Sequence, residues 1–359
     1  MTDEQLPEAL SAEINAVLDD AGVNSDRRLI MRMLRTAVLL GEDDTDRLDL
    51  KIASAALAEM RDAFRLFAPY RGVPKVTVFG SARTRHDDPL YIQARDVAAA
   101  LADDGWMVVT GAGPGIMQAA AEGAGPERSL GVSIRLPFEE KANAFVAGND
   151  HVVAMKYFFT RKLMLMKESR GFICLPGGFG TLDEMFELLT LQQTGKAEPM
   201  PIALLDAKGG SFWQGLRRFI DEDLAPTGVI SAGDFDRVVI TDSIEAARAE
   251  ITGFWRNYDS LRWVGDTLVI RIRVAPTDDE LDTLNERFGS MLESGRIERS
   301  APLAPERADE DLLDLPRLVL DLDQRQVGSL FRLIGAINEL PSAPDLNESG
   351  SAAVHPAVT

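Results

Sequence analysis

Apolar positions over the first seventy residues recur at spacings of three and four, the period of an amphipathic helix. Three segments follow this period, and the turns at 22–25 and 41–44 separate them. Prolines at 69 and 74 flank the exit into the next region. The pattern predicts a helical prefix over residues 1–71, and none of its residues suggests a particular chemistry.

From Lys75 onward, short and continuous apolar runs alternate with stretches of helical length. Continuous hydrophobicity indicates strands that are covered on both faces, as in a parallel sheet with helices on either side. The pattern therefore predicts an α/β domain over residues 72–258. Its predicted strands are Val76–Phe79, Trp106–Thr110, Leu130–Leu136, Gly171–Leu175, Ile202–Leu205 and Val238–Ile240.

A different pattern follows Trp263. Strands are predicted over 268–274 and 318–320, and helices over 278–290 and 326–340. These elements predict a small α+β appendage over residues 265–340. Beyond Pro341 the composition turns to Ser, Ala, Gly and Pro without periodicity, which predicts a disordered tail over 341–359.

Composition narrows the classes of function. The chain of 359 residues has 57 acidic and 38 basic side chains, and its net charge of −19 makes nucleic acid a poor partner. No apolar run approaches the ~20 residues of a membrane-spanning helix, and the acidic N-terminus is unlike an export signal, so we expect a cytoplasmic protein. The single cysteine excludes an intramolecular disulfide, and the three histidines lack metal-ligand spacing, so neither metal nor cofactor is expected.

Two glycine-bearing turns follow predicted strands. The first, residues 80–83, offers the hydroxyl of Ser81 and the guanidinium of Arg83, although alone it reads as an ordinary βα turn. The second, residues 110–117, contains Gly113 and Gly115 and opens a helix whose amides could face an anion. Its glycine spacing is not that of a dinucleotide fingerprint, and no acid follows to hold a ribose diol. Tight packing of helix on strand and contact with phosphate or ribose both stay open for this turn.

A third turn follows the strand predicted at 171–175. Gly177, Gly178 and Gly180 free backbone amides at a helix start, and Thr181 adds a hydroxyl, a combination that suits a phosphate. Glu184 lies one turn into the helix, within reach of whatever carries the phosphate. Alternatively, Glu184 is only a favourable acid in the first turn of a helix.

A basic pair, Arg161 and Lys162, lies on a predicted helix over 156–166. Helical spacing predicts that one of two alternative sets of side chains on this helix faces inward. Arg161 then lies at the edge of a site. In isolation, such a pair is usually a solvated face of an amphipathic helix. The alternative inward-facing sets are Phe158, Lys162 and Met166, or Phe159, Leu163 and Met166.

The segment Pro176–Glu184 resembles the PGGxGTxxE signature of the LOG ("lonely guy") family, formerly labelled possible lysine decarboxylases, and residues 161–162 resemble its RK pair. The resemblance covers roughly residues 72–255, and Phe158 stands where cytokinin-activating members usually have methionine. It implies a Rossmann-like, doubly wound parallel sheet, commonly in a homodimer. It also implies a phosphoribohydrolase, which splits a nucleoside 5′-monophosphate such as AMP or a cytokinin riboside monophosphate into free base and ribose 5-phosphate.

In that interpretation Glu184 stabilises the positive charge that develops on the ribose and orients water, and Arg161 supplies a cation near the base or sugar. A nucleotide-binding sensor without turnover, signalling through the appendage, is the main alternative. A nicotinamide-dependent reductase is disfavoured by the glycine spacing, and no lysine stands in a pyridoxal motif. The predicted substrate-binding residues are Gly177, Gly178, Gly180, Thr181, Lys162, Ser81, Arg83, Gly113 and Gly115.

Overall fold

The structure is a computed structural model that describes residues 8–135, 150–230, 233–235, 237–323 and 326–345. The chain forms two compact units that divide between Glu59 and Met60. The first unit is helical, as the apolar period predicted. It contains α1 (Glu8–Asp20), α2 (Arg27–Glu42) and the start of α3 (Arg47–Phe67).

The second unit contains a parallel sheet of seven strands in the order β4-β3-β2-β1-β5-β6-β7, which confirms the predicted α/β fold. The edge strand β4 was not predicted, although its four residues, Val152–Met155, are all apolar; the run is short and only partly buried. The strands are β1 (Lys75–Phe79), β2 (Met107–Thr110), β3 (Ser129–Ile134), β4 (Val152–Met155), β5 (Gly171–Cys174), β6 (Ile202–Leu205) and β7 (Val238–Thr241).

Helices connect these strands. The first, α4, begins where the side chain of Asp88 accepts a hydrogen bond from Leu90 N at 2.8 Å and Pro89 occupies the first helical position. Both features favour a helix start at that point. The connecting helices are α4 (Pro89–Asp103), α5 (Ile116–Ala124), α6 (Phe158–Lys167), α7 (Phe179–Gln193), α8 (Phe212–Phe219) and α9 (Ile244–Gly253).

The strand order reverses between β1 and β5. Strands β2, β3 and β4 lie to one side of β1, and β5, β6 and β7 lie to the other. Phe79 at the end of β1 pairs with Cys174 at the end of β5, so the turns that follow both strands leave the sheet side by side. Open α/β sheets bind ligands in the crevice at such a reversal, beyond the carboxyl ends of the strands.

A second sheet, antiparallel and in the order β10-β11-β9-β8, follows α9. The sequence did not predict β8 or β10, because β8 mixes polar and apolar residues and β10 is exposed along most of its length. Its elements are β8 (Tyr258–Val264), β9 (Thr267–Ile272), α10 (Asp278–Phe288), β10 (Leu292–Ser300), α11 (Ala304–Ala308), β11 (Arg317–Leu322) and α12 (Val327–Asn338).

Both sheets lie within the second unit, and the predicted division into residues 72–258 and 265–340 stays a prediction. The last residue of the predicted strand 130–136 and most of the predicted tail, residues 346–359, lie outside the described residues.

Candidate functional site

The turn after β5 forms the N-terminus of α7. Gly178 is the N-cap, and no side chain caps the helix start. A Cβ atom built on Gly178 or Gly180 would meet no atom of the described residues within 4 Å, and the side chain of Phe179 is 94% exposed. The first amides of a helix have no acceptor within the helix, and the helix dipole places partial positive charge there. This turn therefore offers an open helix start to an anion.

Gly177 lies where two turns meet. A Cβ atom at this position would lie 2.2 Å from Thr181 Oγ1 and 3.0 Å from the backbone nitrogen of Ser81. Any side chain at 177 would therefore push the turn after β5 away from the turn after β1. Thr181 is buried, with its hydroxyl against the backbone of the glycine turn.

Glu184 follows Thr181 by three residues, so both lie on the same buried face of α7. Only 8% of Glu184 and 9% of Arg161 is exposed. Arg161 Nη1 donates to Glu184 Oε1 at 3.3 Å, and Arg161 Nε donates to the carbonyl oxygen of Val132 at 3.0 Å. The guanidinium is thus fixed between β3 and the carboxyl group.

The surroundings of Glu184 change its acidity. Burial raises the pKa of Glu184 to about 7, and the nearby Arg161 guanidinium lowers it only in part. The carboxyl group therefore changes its charge near neutral pH. Burial, and secondarily the charge of Glu184, raises the pKa of the Cys174 thiol at the end of β5, which keeps this thiol neutral.

The turn after β2 packs against Arg161, the cation of the buried pair with Glu184. A Cβ atom on Gly111 would lie 2.0 Å from Arg161 Nη2 and 2.9 Å from Met117 Sδ, so glycine is required for the guanidinium to fit. The buried Ala112 adopts φ +56°, a left-handed conformation that costs a non-glycine residue on the order of 1 kcal/mol or more. The contact of Met117 with this turn was not predicted, because a methionine in a helical stretch is typical of any core.

Packing accounts for the glycines of this turn that the sequence singled out. A Cβ atom on Gly113 would lie 2.6 Å from Met117 Cε, and one on Gly115 would lie 2.4 Å from the carbonyl oxygen of Ser81. Gly115 also has φ +67°, which favours glycine. Gly115 thus allows the turns after β1 and β2 to pack closely, and Gly113 leaves room for the Met117 side chain. The predicted contact of both glycines with substrate stays a prediction.

The other predicted polar residues lie in different surroundings. Lys162 Nζ forms ion pairs of 2.7 Å with Asp183 Oδ2 and 2.7 Å with Glu187 Oε2. Ser81 Oγ accepts a hydrogen bond from the backbone nitrogen of Arg83 at 3.1 Å, and the Arg83 side chain is exposed. The structure thus brings Ser81 to Gly177, and places Lys162 beside the Arg161–Glu184 pair on the same two helices.

Both predicted inward faces of α6 were wrong in part. Phe158, Phe159 and Leu163 are exposed, although Met166 is buried. The buried face of α6 instead includes Arg161, whose charge is compensated by Glu184. A prediction from hydrophobic spacing places every arginine on the solvent side of a helix. It therefore predicts the wrong buried face for a helix such as α6, which buries Arg161.

Within the described part of the chain, no group of three His, Cys, Asp or Glu side chains is arranged to hold a metal ion. No helix within the same residues is both long and apolar enough to cross a bilayer.

The doubly wound sheet and its glycine-rich strand ends define a Rossmann-like α/β protein. A family model described as "Possible lysine decarboxylase" matches residues 115–251. A Mycobacterium tuberculosis protein named cytokinin riboside 5'-monophosphate phosphoribohydrolase is 31% identical over 176 residues, which make up 48% of this chain and 90% of that relative. The Mycobacterium marinum protein of the same name matches with the same identity and coverage. The chain belongs to the LOG family, as its motifs predicted.

Among solved structures, the molybdenum cofactor binding protein of Rippkaea orientalis is similar over 48% of this chain and 91% of its own. Its sequence identity is 22% and its TM-score is 0.35.

Proposed function

We propose that this protein hydrolyses the N-glycosidic bond of a nucleoside 5′-monophosphate and releases the free base and ribose 5-phosphate. One observation carries the proposal: a buried carboxyl group, Glu184, contacts Arg161 one helical turn from an open, glycine-rich helix start. The names of the mycobacterial relatives support the same class of reaction.

The helix start of α7 binds the 5′-phosphate in this proposal. Amides at Gly178 and Gly180 and the hydroxyl of Thr181 suit the phosphate oxygens, and Gly177 keeps the neighbouring turn close. Ser81 and Arg83 lie on the adjoining turn, where the exposed guanidinium of Arg83 adds a positive charge. The phosphate thereby sets the position of the ribose relative to Glu184.

Glu184 acts on the sugar. As the bond from C1′ to the base breaks, its electron pair leaves with the base and positive charge develops on C1′ and the ring oxygen. The Glu184 carboxylate stabilises that charge and accepts a hydrogen bond from the attacking water. The water oxygen bonds to C1′, and one water proton ends on the base. Arg161 stabilises the negative charge on the departing base and holds Glu184 in place.

For the base, we propose an AMP-type purine. Phe158 replaces the methionine that cytokinin-activating members usually have at this position, and this departure favours an unmodified purine. A panel of purine, pyrimidine and cytokinin monophosphates, followed by chromatography of free base and ribose 5-phosphate, tests the choice. We expect the fastest release from AMP, and a release about 10²–10³-fold slower by Glu184→Gln. Nucleotide binding without any release would instead support the sensor.

We further propose that the protein forms a homodimer through α6 and α7. Phe158, Phe159 and Leu163 on α6 and Phe186 on α7 are all exposed, and exposed large apolar side chains concentrated on two helices are typical of interaction surfaces. Light scattering after gel filtration should give twice the chain mass of 39.2 kDa. Phe159→Glu should shift the protein to the monomer mass, and a monomeric parent protein would refute the proposal.

A further inference from the structure

A buried arginine lies at the end of the parallel sheet opposite the glycine-rich turns. Arg237 immediately precedes β7, whereas the glycine turns follow the carboxyl ends of β1, β2 and β5. Because all strands of this sheet are parallel, Arg237 lies at the amino-terminal edge. Whatever contacts Arg237 is therefore distinct from the Glu184 site.

The guanidinium of Arg237 has more hydrogen-bond donors than acceptors in the described part of the chain. Arg237 is 4% exposed, and its Nη2 donates to Asp234 Oδ1 at 3.0 Å. Its Nε and Nη1 atoms are buried and have no hydrogen-bond partner within the described part of the chain. Leaving a buried donor unsatisfied costs about 1–3 kcal/mol, and more for a charged group. An arginine in this state points to a missing acceptor.

The same guanidinium lies over the start of α12. Arg237 Nη2 would be 3.4 Å from a Cβ atom on Gly328, in the first turn of this 12-residue helix. The N-cap, Gln326, makes no side-chain capping hydrogen bond, and the first amides of any helix have no acceptor within the helix itself. The absence of a Cβ atom on Gly328 leaves room between the helix start and the arginine.

A second arginine adds positive charge. Arg332, one turn further along α12, is exposed, and its Nη2 donates to Ser329 Oγ at 2.9 Å. Ser329 Oγ in turn bonds Gln326 Oε1 at 3.1 Å. Arg237 is paired with Asp234, which also accepts a hydrogen bond from Gln193 Nε2. Two arginines, Arg237 and Arg332, therefore lie near the first turns of α12.

We propose that Arg237 and the first turn of α12 form a second anion site, which binds a phosphoryl group and joins the antiparallel sheet to the parallel one. A phosphoryl group has several oxygens, which can accept from guanidinium nitrogens and helix amides at once. The ligand is either free phosphate or the terminal phosphate of a nucleotide. The site is independent of the hydrolase reaction proposed above.

Equilibrium dialysis of the full-length protein with radiolabelled inorganic phosphate tests this site. Arg237→Gln should bind one phosphate fewer per chain than the parent protein, and Arg332→Gln should weaken the same site about tenfold, as expected for loss of one charged contact. Arg296→Gln on β10 removes an equal charge from an exposed position and should bind as the parent does. Phosphate bound to the Glu184 site is common to all four proteins and does not affect the difference.

Equal stoichiometry and affinity in the parent, Arg237→Gln and Arg332→Gln would overturn the proposal. Should Arg237→Gln fail to fold, unchanged binding by the surface variant Arg332→Gln overturns it alone. A competing nucleoside diphosphate identifies the source of the ligand. Displacement of phosphate from the Arg237-dependent site at much lower concentration than phosphate itself requires indicates a nucleotide, and weaker displacement indicates free phosphate.

Discussion

Two neighbouring cations on α6 face neighbouring acids on α7, but their surroundings differ. Arg161 and Glu184 are buried and meet through one contact of 3.3 Å. Lys162 meets Asp183 and Glu187 at 2.7 Å, and the Asp183 side chain is 60% exposed. Burial raises the pKa of Glu184 to about 7, whereas the partners of Lys162 raise the pKa of its ammonium group.

This contrast distinguishes the buried ion pair, to which we assign the reaction, from the ion pairs of Lys162, which hold α6 against α7. Water screens the pair between Lys162 and the exposed Asp183, and such pairs contribute at most about 1 kcal/mol to stability. The buried pair costs desolvation energy, and such groups are frequent at functional sites, where a perturbed pKa serves catalysis. We therefore assign the reaction to Arg161 and Glu184, and expect the pairs of Lys162 mainly to hold α6 against α7.

The largest effect should come from Glu184→Gln. The amide keeps the size of the side chain but cannot supply negative charge to the ribose, so kcat should fall by about 10²–10³ while KM changes little. Release of adenine from AMP, followed by chromatography, measures the change. Asp183→Asn removes an acid from the exposed pair and is the matched control. Equal activity of Glu184→Gln and the parent would eliminate the mechanism.

Arg161→Gln should have the next largest effect. It removes the cation beside the departing base and the donor that holds Glu184, so kcat/KM should fall by about 10². Arg161→Lys keeps a charge but has no group equivalent to Nε to bond Val132, and should recover only part of the loss. Full activity in the lysine variant would show that charge alone, without the held geometry, is sufficient.

The dependence of kcat on pH separates the proposed role of Glu184 from that of another acid, Glu198. Because the proposed mechanism uses the ionised form of Glu184, kcat should fall about tenfold per pH unit below about 7 and level off above it. Glu198 is a suitable control, since burial also raises its pKa to about 7 and its charge interacts with Arg170 instead of Arg161. The profile of Glu198→Gln should match that of the parent. An activity that rises towards low pH would make Glu184 a proton donor.

A smaller effect is expected from Gly111→Ala. The new methyl group would overlap Arg161 Nη2, so the guanidinium must move and kcat/KM should fall about tenfold. Gly253→Ala on α9 is the matched control, because its Cβ atom would meet nothing within 4 Å. Comparable losses in both variants would show that the effect is not specific to the arginine.

Lys162→Gln should have the smallest effect. Its ion pairs with Asp183 and Glu187 engage the ammonium group, so KM for AMP should change by less than about threefold and stability by at most about 1 kcal/mol. Steady-state kinetics and thermal unfolding measure the two quantities. A tenfold or larger rise in KM would place the ammonium on the substrate, as the sequence analysis predicted.

Much of the fold was readable from the sequence, because buried parallel strands carry continuous apolar runs. The other six strands of the parallel sheet were found in this way, but its short edge strand β4 and the exposed strand β10 of the antiparallel sheet were not. At the site, the glycines and Thr181 were recognisable from their motif. The roles of Gly111 and Met117 were not, since they depend on a guanidinium that arrives from a distant helix.

The pairing of Phe79 with Cys174 has a kinetic consequence. Residues far apart along the chain must meet before the turns after β1 and β5 lie side by side, and such long-range contacts form slowly during folding. A nascent chain released before β5 is synthesised therefore lacks half of the crevice. Enzymatic competence should appear late in refolding, after most helical signal has returned.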